Sequence, residues 1–226
     1  MSRIAIFGAT GAIGSAVHSH LTAQGHNVVG LTSGASTSRH LSTLESSWLE
    51  KLNQYGKIDS VVWAQGFNQS DNIVSFDIEV FNSHLTANVT YILDTLNQLL
   101  STDSLSNQAR LVILSSIWQD SARPNKLSYM VTKSALSGLV SSLCLDLGKQ
   151  GICINAVLPG VADTPMTRQN LTTAQISNVI SETPLERLVT LDELSKTVEW
   201  LCSQDSNGIN GQFITVDNGW SRYRNV

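Results

Sequence analysis

The first twenty-four residues constrain the fold more than any other stretch. Arg3–Phe7 is a short apolar run that passes directly into G-A-T-G-A-I-G at Gly8–Gly14. Ala12–Gln24 follows with helical spacing and places Val17 and Leu21 on one face. A strand that enters a helix through glycines lets backbone approach a pyrophosphate closely. The helix N-terminus adds unpaired N–H groups and a favourable dipole. The spacing here is G-x-x-G-x-x-G, not the G-x-G-x-x-G of the general dinucleotide fingerprint. A glycine turn with no ligand is the plain alternative.

The rest of the chain repeats the alternation. Asn27–Leu31, Ser60–Trp63, Arg110–Leu114, Ile152–Val157 and Ile209–Val216 read as strands. Leu41–Tyr55, Glu79–Leu100 and Ser128–Gly148 read as helices between them. Apolar strands separated by helices predict an α/β fold: one doubly wound parallel sheet with helices on both faces, filling residues 1–226 as a single domain. The Ser-, Thr- and Gly-rich segment between Leu31 and Leu41 leaves little room for a further unit before Ser60. A third strand there is expected to be very short or absent. Met166–Leu191 is polar and Thr-rich, and is expected to form a lid around residues 165–190.

Composition excludes several classes. The 226 residues carry a formal net charge of −4, and only 14% are charged. Scattered Lys and Arg give no basic patch, so no nucleic-acid partner is expected. Cys144, Cys153 and Cys202 are odd in number and lack a C-x-x-C. That argues against a disulfide framework or zinc site and for a reducing, cytoplasmic setting, with Cys144 and Cys153 in the core. His18, His20, His26, His40 and His84 form no ligand motif, so no metal is expected. No apolar run approaches the roughly 20 residues needed to span a bilayer, and I-A-I-F lacks a cleavage pattern, so no membrane or targeting segment is expected.

Two further patterns carry chemistry. Tyr129 and Lys133, in Y-M-V-T-K, stand four residues apart on a predicted helix. On one face their Cβ atoms lie about 6 Å apart. A cation beside a phenol favours the phenolate, which makes the pair a candidate tuned general acid/base. At the end of the second strand, Leu31-Thr32-Ser33-Gly34 contains no Asp or Glu to hold a ribose 2′-hydroxyl. Thr32 and Ser33 suit a 2′-phosphate instead, with Arg39 or His40 in reach. That favours NADP, with NAD still possible.

Taken in order, the motifs resemble those of the short-chain dehydrogenase/reductase family over nearly the whole chain. The glycine turn is in place. Trp63-Ala64-Gln65-Gly66 stands where the family has N-N-A-G. Asn88 in A-N-V-T-Y matches the family's helix asparagine, and Ser116 stands thirteen residues before Tyr129. Leu158–Met166 is similar to the P-G-x-x-x-T segment, and I-N-G-Q-F-I-T-V-D-N-G-W to the G-x-x-x-x-V-D-G-G ending. The overall pattern is closest to 3-oxoacyl-(acyl-carrier-protein) reductase-like members.

The resemblance implies a Rossmann fold and an NAD(P)(H)-dependent oxidoreductase that interconverts a carbonyl and an alcohol. Tyr129 would be the general acid/base, Ser116 would orient the substrate, and Lys133 would lower the Tyr129 pKa and bind ribose hydroxyls. Asn88 would hold a relay water. Cofactor contacts are implied for Gly8, Thr10, Gly11, Ile13 and Gly14, for Thr32 and Ser33, and for Ala64, Gln65 and Gly66. Asn88, Tyr129, Lys133, Pro159, Gly160, Val161 and Thr164 complete that set. Trp118, Gln119, Asn125 and Met166 fall where the family lines its substrate cleft. Arg123 and Lys126 would attract an acidic substrate or carrier, or are simply solvated. A homotetramer or homodimer built on the two long helices is implied.

There are departures. Ala12 occupies the position of the commonest middle glycine. Trp63 and Ala64 replace two asparagines, which puts side-chain support of the central strand in question. No adenine-contacting Asp is identifiable, and Ser42 or a neighbour would stand in. A non-catalytic NAD(P)-sensing protein is the competing reading, which the complete Ser116/Tyr129/Lys133 set disfavours. A sugar-nucleotide epimerase or dehydratase is disfavoured by the short C-terminal region.

Overall fold

The computed structural model describes residues 1–32 and 48–222. Six strands form one parallel sheet: β1 (Arg3–Phe7), β2 (Asn27–Leu31), β3 (Ile58–Trp63), β4 (Leu105–Leu114), β5 (Cys153–Pro159) and β6 (Phe213–Val216). Their spatial order is β2-β1-β3-β4-β5-β6, and every pairing is parallel. Successive β1 side chains point to opposite faces. Ala5 and Phe7 enter one apolar layer and Ile4 and Ile6 the other. Both faces are covered, so the strands read as continuous apolar runs rather than as alternations.

On the Phe7 face lie α2 (Trp48–Asn53), α4 (Tyr91–Ser101) and α5 (Leu127–Gly148), which contribute Leu52, Leu96 and Leu136. On the Ile6 face α1 (Ala12–Ala23) and α8 (Leu191–Cys202) pack with Val17, Leu21, Leu194 and Val198. The predicted fold class is the observed one. The strand order reverses at β1, whose neighbours are β2 and β3. Such a switch point opens a crevice at the carboxyl ends of the strands.

Several boundaries differ from expectation for local reasons. The long helix expected over Glu79–Leu100 is α3 (Ile78–Leu85), a π-helical turn (Thr86–Thr90) and α4. Five residues of i→i+5 bonding leave hydropathy spacing almost unchanged, so the sequence does not betray them. Strand β4 begins at Leu105 rather than Arg110, through a register shift against β3 between Ile58 and Ser60. Strand β6 begins at Phe213 rather than Ile209, because the Ile209 N–H turns back to the Ser206 carbonyl and Gly211 takes φ +71°. Of the helix expected over Leu41–Tyr55, Trp48–Asn53 is described and helical. Among the described residues no strand lies between Leu31 and Ile58.

The polar excursion contains two short helices, α6 (Pro165–Asn170) and α7 (Thr173–Ser181). Cys202 is the buried cysteine, whereas Cys144 and Cys153 are half-buried, a correction to the expectation that those two sit in the core. Helix α5 is, by length and composition, long and apolar enough to cross a membrane, which the sequence reading did not expect of any segment. Here its Leu136, Val140 and Leu147 pack on the sheet.

Candidate active site

The glycine turn is held by backbone contacts that leave no room for side chains. The Gly8 N–H donates to the Leu31 carbonyl at 3.0 Å, tying the turn to β2. Gly8 has φ +79°, and a Cβ there would lie 2.5 Å from the Gln65 nitrogen. At Gly14 a Cβ would lie 2.2 Å from the Gly8 carbonyl oxygen. Both glycines are therefore required, one by conformation and close approach, the other by close approach alone. Gly11 is the N-cap of α1 and offers no side-chain acceptor to the first-turn N–H groups. That helix end faces the crevice with its dipole uncompensated.

A cavity of about 320 Å³ occupies the crevice. Gly8, Thr10, Gly11 and Ile13 form one wall, and Ala64, Gln65 and Gly66 the other. Tyr129, Lys133 and Thr164 stand at its far end. Both polar atoms of the Gln65 carboxamide are buried without a hydrogen-bond partner. Glycine turn, bare helix N-terminus and unsatisfied amide together fit a dinucleotide. Gly14 shapes the turn but does not line the cavity. Thr32 is exposed beyond β2 and is not on the cavity wall. Ser33, Arg39, His40 and Ser42 lie outside the described residues. Trp63 supports the central strand in place of an asparagine. Its indole N–H donates to the Thr95 hydroxyl at 2.9 Å, and its ring stacks on Phe7.

Asn88 lies inside the π turn and is buried. Its carboxamide oxygen accepts the Phe67 N–H at 2.9 Å, and its nitrogen donates to the Phe67 carbonyl and the Thr132 hydroxyl. The side chain thus ties the segment after β3 to α5. A Cβ on Gly66 would touch Asn88 Oδ1 at 3.3 Å and Lys133 Nζ at 4.0 Å, so the three groups meet at one point. Asn88 itself does not line the cavity.

Ser116 follows β4 and is buried at 6% exposure, and its Oγ accepts the Trp118 N–H. Tyr129 and Lys133 come from the first turns of α5. The buried Asp71 carboxylate fixes that helix start by accepting from the Ser128 N–H at 3.0 Å and from its hydroxyl. Lys133 Nζ donates to the Leu114 carbonyl at 2.9 Å and lies 5.7 Å from the Tyr129 ring centroid. Burial lowers the Lys133 pKa to about 8. Burial also raises the Tyr129 pKa above its ordinary 10.0, and a hydrogen bond with Ser116 opposes that rise. The depression expected from the neighbouring cation is therefore not the dominant effect on the phenol.

His84 packs beside this group, its ring centroid 4.6 Å from Phe67 and 6.4 Å from Tyr129. It accepts the Gln69 N–H and donates to the Val80 carbonyl, and burial lowers its pKa, so it stays neutral.

A second cavity, about 250 Å³, adjoins the first and shares Tyr129, Ile13 and Thr164 with it. Ser116, Pro159, Gly160 and Val161 line it, as do Trp118 and Met166. Thr164 also caps α6 by accepting the Thr167 N–H. Two expected cleft residues are elsewhere. Gln119 is buried and bonded to Ser115, and Asn125 is bonded to Asn72. A third cavity of about 270 Å³ runs on past Trp118 to Trp220, and the two indoles meet edge-to-face at 5.4 Å. Sequence reasoning missed Trp220 as a wall residue. No local signal marks it, because only the parallel sheet brings the segment after β6 to the same end as Ser116.

A family model described as enoyl-(acyl carrier protein) reductase matches residues 43–221. A 3-oxoacyl-(acyl-carrier-protein) reductase of Buchnera aphidicola is 29% identical over 165 residues, 73% of this chain and 67% of that protein. A short-chain dehydrogenase family protein from Francisella tularensis superposes with TM-score 0.84 at 23% identity, covering 98% of this chain and 99% of the other. A 4-hydroxyisoleucine dehydrogenase complexed with NADH gives TM-score 0.85 at 20% identity, covering 99% and 100%.

Proposed function

This chain belongs to the short-chain dehydrogenase/reductase family, and on that premise we propose that it interconverts a carbonyl and an alcohol with Tyr129 as general acid/base. Family membership makes it an NAD(P)-dependent oxidoreductase. The observation that carries the finer reading is the meeting of Ser116, Tyr129 and Lys133 at the junction of the two cavities.

The nicotinamide cofactor, when bound, supplies or receives the hydride. Tyr129 gives its proton to the carbonyl oxygen in reduction and takes one from the hydroxyl in oxidation. Ser116, which lines the same cavity as the phenol, shares that oxygen and orients it. Lys133 brings positive charge beside the ring, favouring the phenolate as the proton leaves. Asn88 holds the Phe67 segment against α5 and so fixes Gly66 beside Lys133. Gly8, Thr10, Gly11, Ile13 and the Ala64–Gly66 segment would hold the nucleotide, with Gly14 shaping the turn. Pro159, Gly160, Val161 and Thr164 would hold its nicotinamide end.

NADP is the proposed coenzyme, supported by the absence of an acidic residue in Leu31-Thr32-Ser33-Gly34. The segment around 165–190 acts as a lid, supported by Met166, Thr167 and Leu171 on the cavity wall. A homotetramer, or the homodimer within it, is supported by exposed Leu93 on α4 and Val131 and Leu145 on α5. Three thiols without a disulfide suit a reducing cytoplasm.

Purified protein, NADPH or NADH, and a panel of carbonyls test the proposal. NADPH is expected to be oxidised with the higher kcat/KM. Tyr129→Phe is expected to lower kcat/KM by about 10²–10⁴-fold while leaving coenzyme binding intact. Activity that survives this substitution would overturn the proton-transfer role.

A further inference from the structure

The second and third cavities share Trp118, Arg123, Val161 and Leu171, so they border one another along the cleft beyond Tyr129. Its wall carries two cations, Arg123 and Lys126, and among the described lining residues no Asp or Glu. Both cations are half-buried. Lys126 Nζ donates to two neutral oxygens, Asn68 Oδ1 at 2.7 Å and Ser70 Oγ at 3.4 Å. The Arg123 guanidinium stacks over the Trp118 ring at 5.7 Å. Among the described residues neither forms an ion pair with a carboxylate. The acid that acts on Lys126 is Asp71, and its two oxygens are engaged by Ser128.

Holding two like charges partly out of water without a direct ion pair is unfavourable, and an anion between them lowers the penalty. Trp220 lines the outer part of this space. The other lining there is apolar: Trp118, Ala122, Val161, Leu171 and Val179.

We propose that the substrate is a small organic acid. Its carboxylate is held by Arg123 and Lys126, its carbonyl or hydroxyl faces Tyr129 and Ser116, and its hydrocarbon or aromatic body lies against Trp118 and Trp220. This rests on the carbonyl–alcohol reading of the same site. It separates the chain from one that acts on a neutral acyl thioester, where an anionic group beside the reacting carbonyl has no place. Arg123 and Lys126 are specificity-determining residues in this scheme, and Tyr129 remains the proton donor.

The test compares an α-keto acid carrying a phenyl tail with its ethyl ester and with an acyl thioester, under NADPH. The acid is expected to exceed both in kcat/KM by roughly tenfold to a hundredfold, mainly through KM, as a charge-assisted contact implies. Arg123→Gln and Lys126→Gln are each expected to collapse the acid-to-ester ratio towards one. Equal rates for acid and ester, a preferred thioester, or an unchanged ratio in both variants would overturn the inference and leave the carbonyl–alcohol reading standing. A second measurement needs no turnover: quenching of tryptophan fluorescence by a saturated phenyl-tailed carboxylate against its amide, with NADP⁺ present. Tighter carboxylate binding that both variants weaken supports the inference even if the chemistry is assigned wrongly. Equal binding of acid and amide overturns it.

Discussion

Lys133 places an ammonium group in the site with 4% of its surface exposed and one carbonyl as partner. Its pKa falls from 10.5 to about 8, through burial. An unfolded chain thus binds more protons than the folded one between those values, and stability rises with pH across that window. The buried ammonium costs on the order of 3 kcal/mol at neutral pH. Replacing it with an apolar isostere removes the dependence. Urea melts of coenzyme-free protein at two pH values, about 7.5 and 9.5, are expected to show the wild type gaining about 2 kcal/mol on Lys133→Met as pH rises. A parallel pH response in the two proteins would refute this. The sequence supplied this residue and its partner Tyr129 through their spacing together with the order of the surrounding motifs. It misjudged which force governs the phenol, because burial depends on elements that fold over α5 from elsewhere in the chain. Lys126 and Arg123 show the same gap: in sequence they are ordinary loop charges, and only the closed cavity wall leaves them without carboxylates.

At the scale of elements, the π turn between α3 and α4 is the least foreseen feature with the most consequence. It holds Asn88 where one carboxamide satisfies both backbone groups of Phe67 and also reaches Thr132 on α5. Removing that carboxamide leaves the half-buried Phe67 N–H and carbonyl without these partners. Asn88→Ala is expected to lower stability by about 2–4 kcal/mol, read as a lower urea midpoint at unchanged m-value. Activity is expected to fall with it, since Gly66 and Lys133 share that junction. The glycine turn is the opposite case. Its spacing was plain in the sequence, and the structure adds the reason for two of its members. Gly14→Ala sets a Cβ 2.2 Å from the Gly8 oxygen, so α1 must move away from the turn. Loss of coenzyme binding, measured by titration with NADPH, is the expected outcome; an unchanged affinity would show that the close packing is dispensable.

For the whole molecule, α4 and α5 leave large apolar side chains exposed. Leu145 on α5 is 78% exposed, and Leu93 on α4 45%. A second copy covering both would explain why a helix apolar enough to span a membrane is not fully wrapped by its own chain. Light scattering is expected to report a tetramer or dimer, and Leu93→Glu with Leu145→Glu together to shift it towards monomer; a wild-type monomer would contradict the assignment. The sequence by itself determined the parallel α/β architecture, the glycine turn and the order of Asn88, Ser116, Tyr129 and Lys133, because periodicity and fixed spacing are local properties of a chain. Only the tertiary structure decided that β1 is the switch point, that Trp118 meets Trp220, and that two loop cations share a cavity without an acid. Those facts depend on which distant segments the sheet brings to one end, and no local pattern encodes that distance.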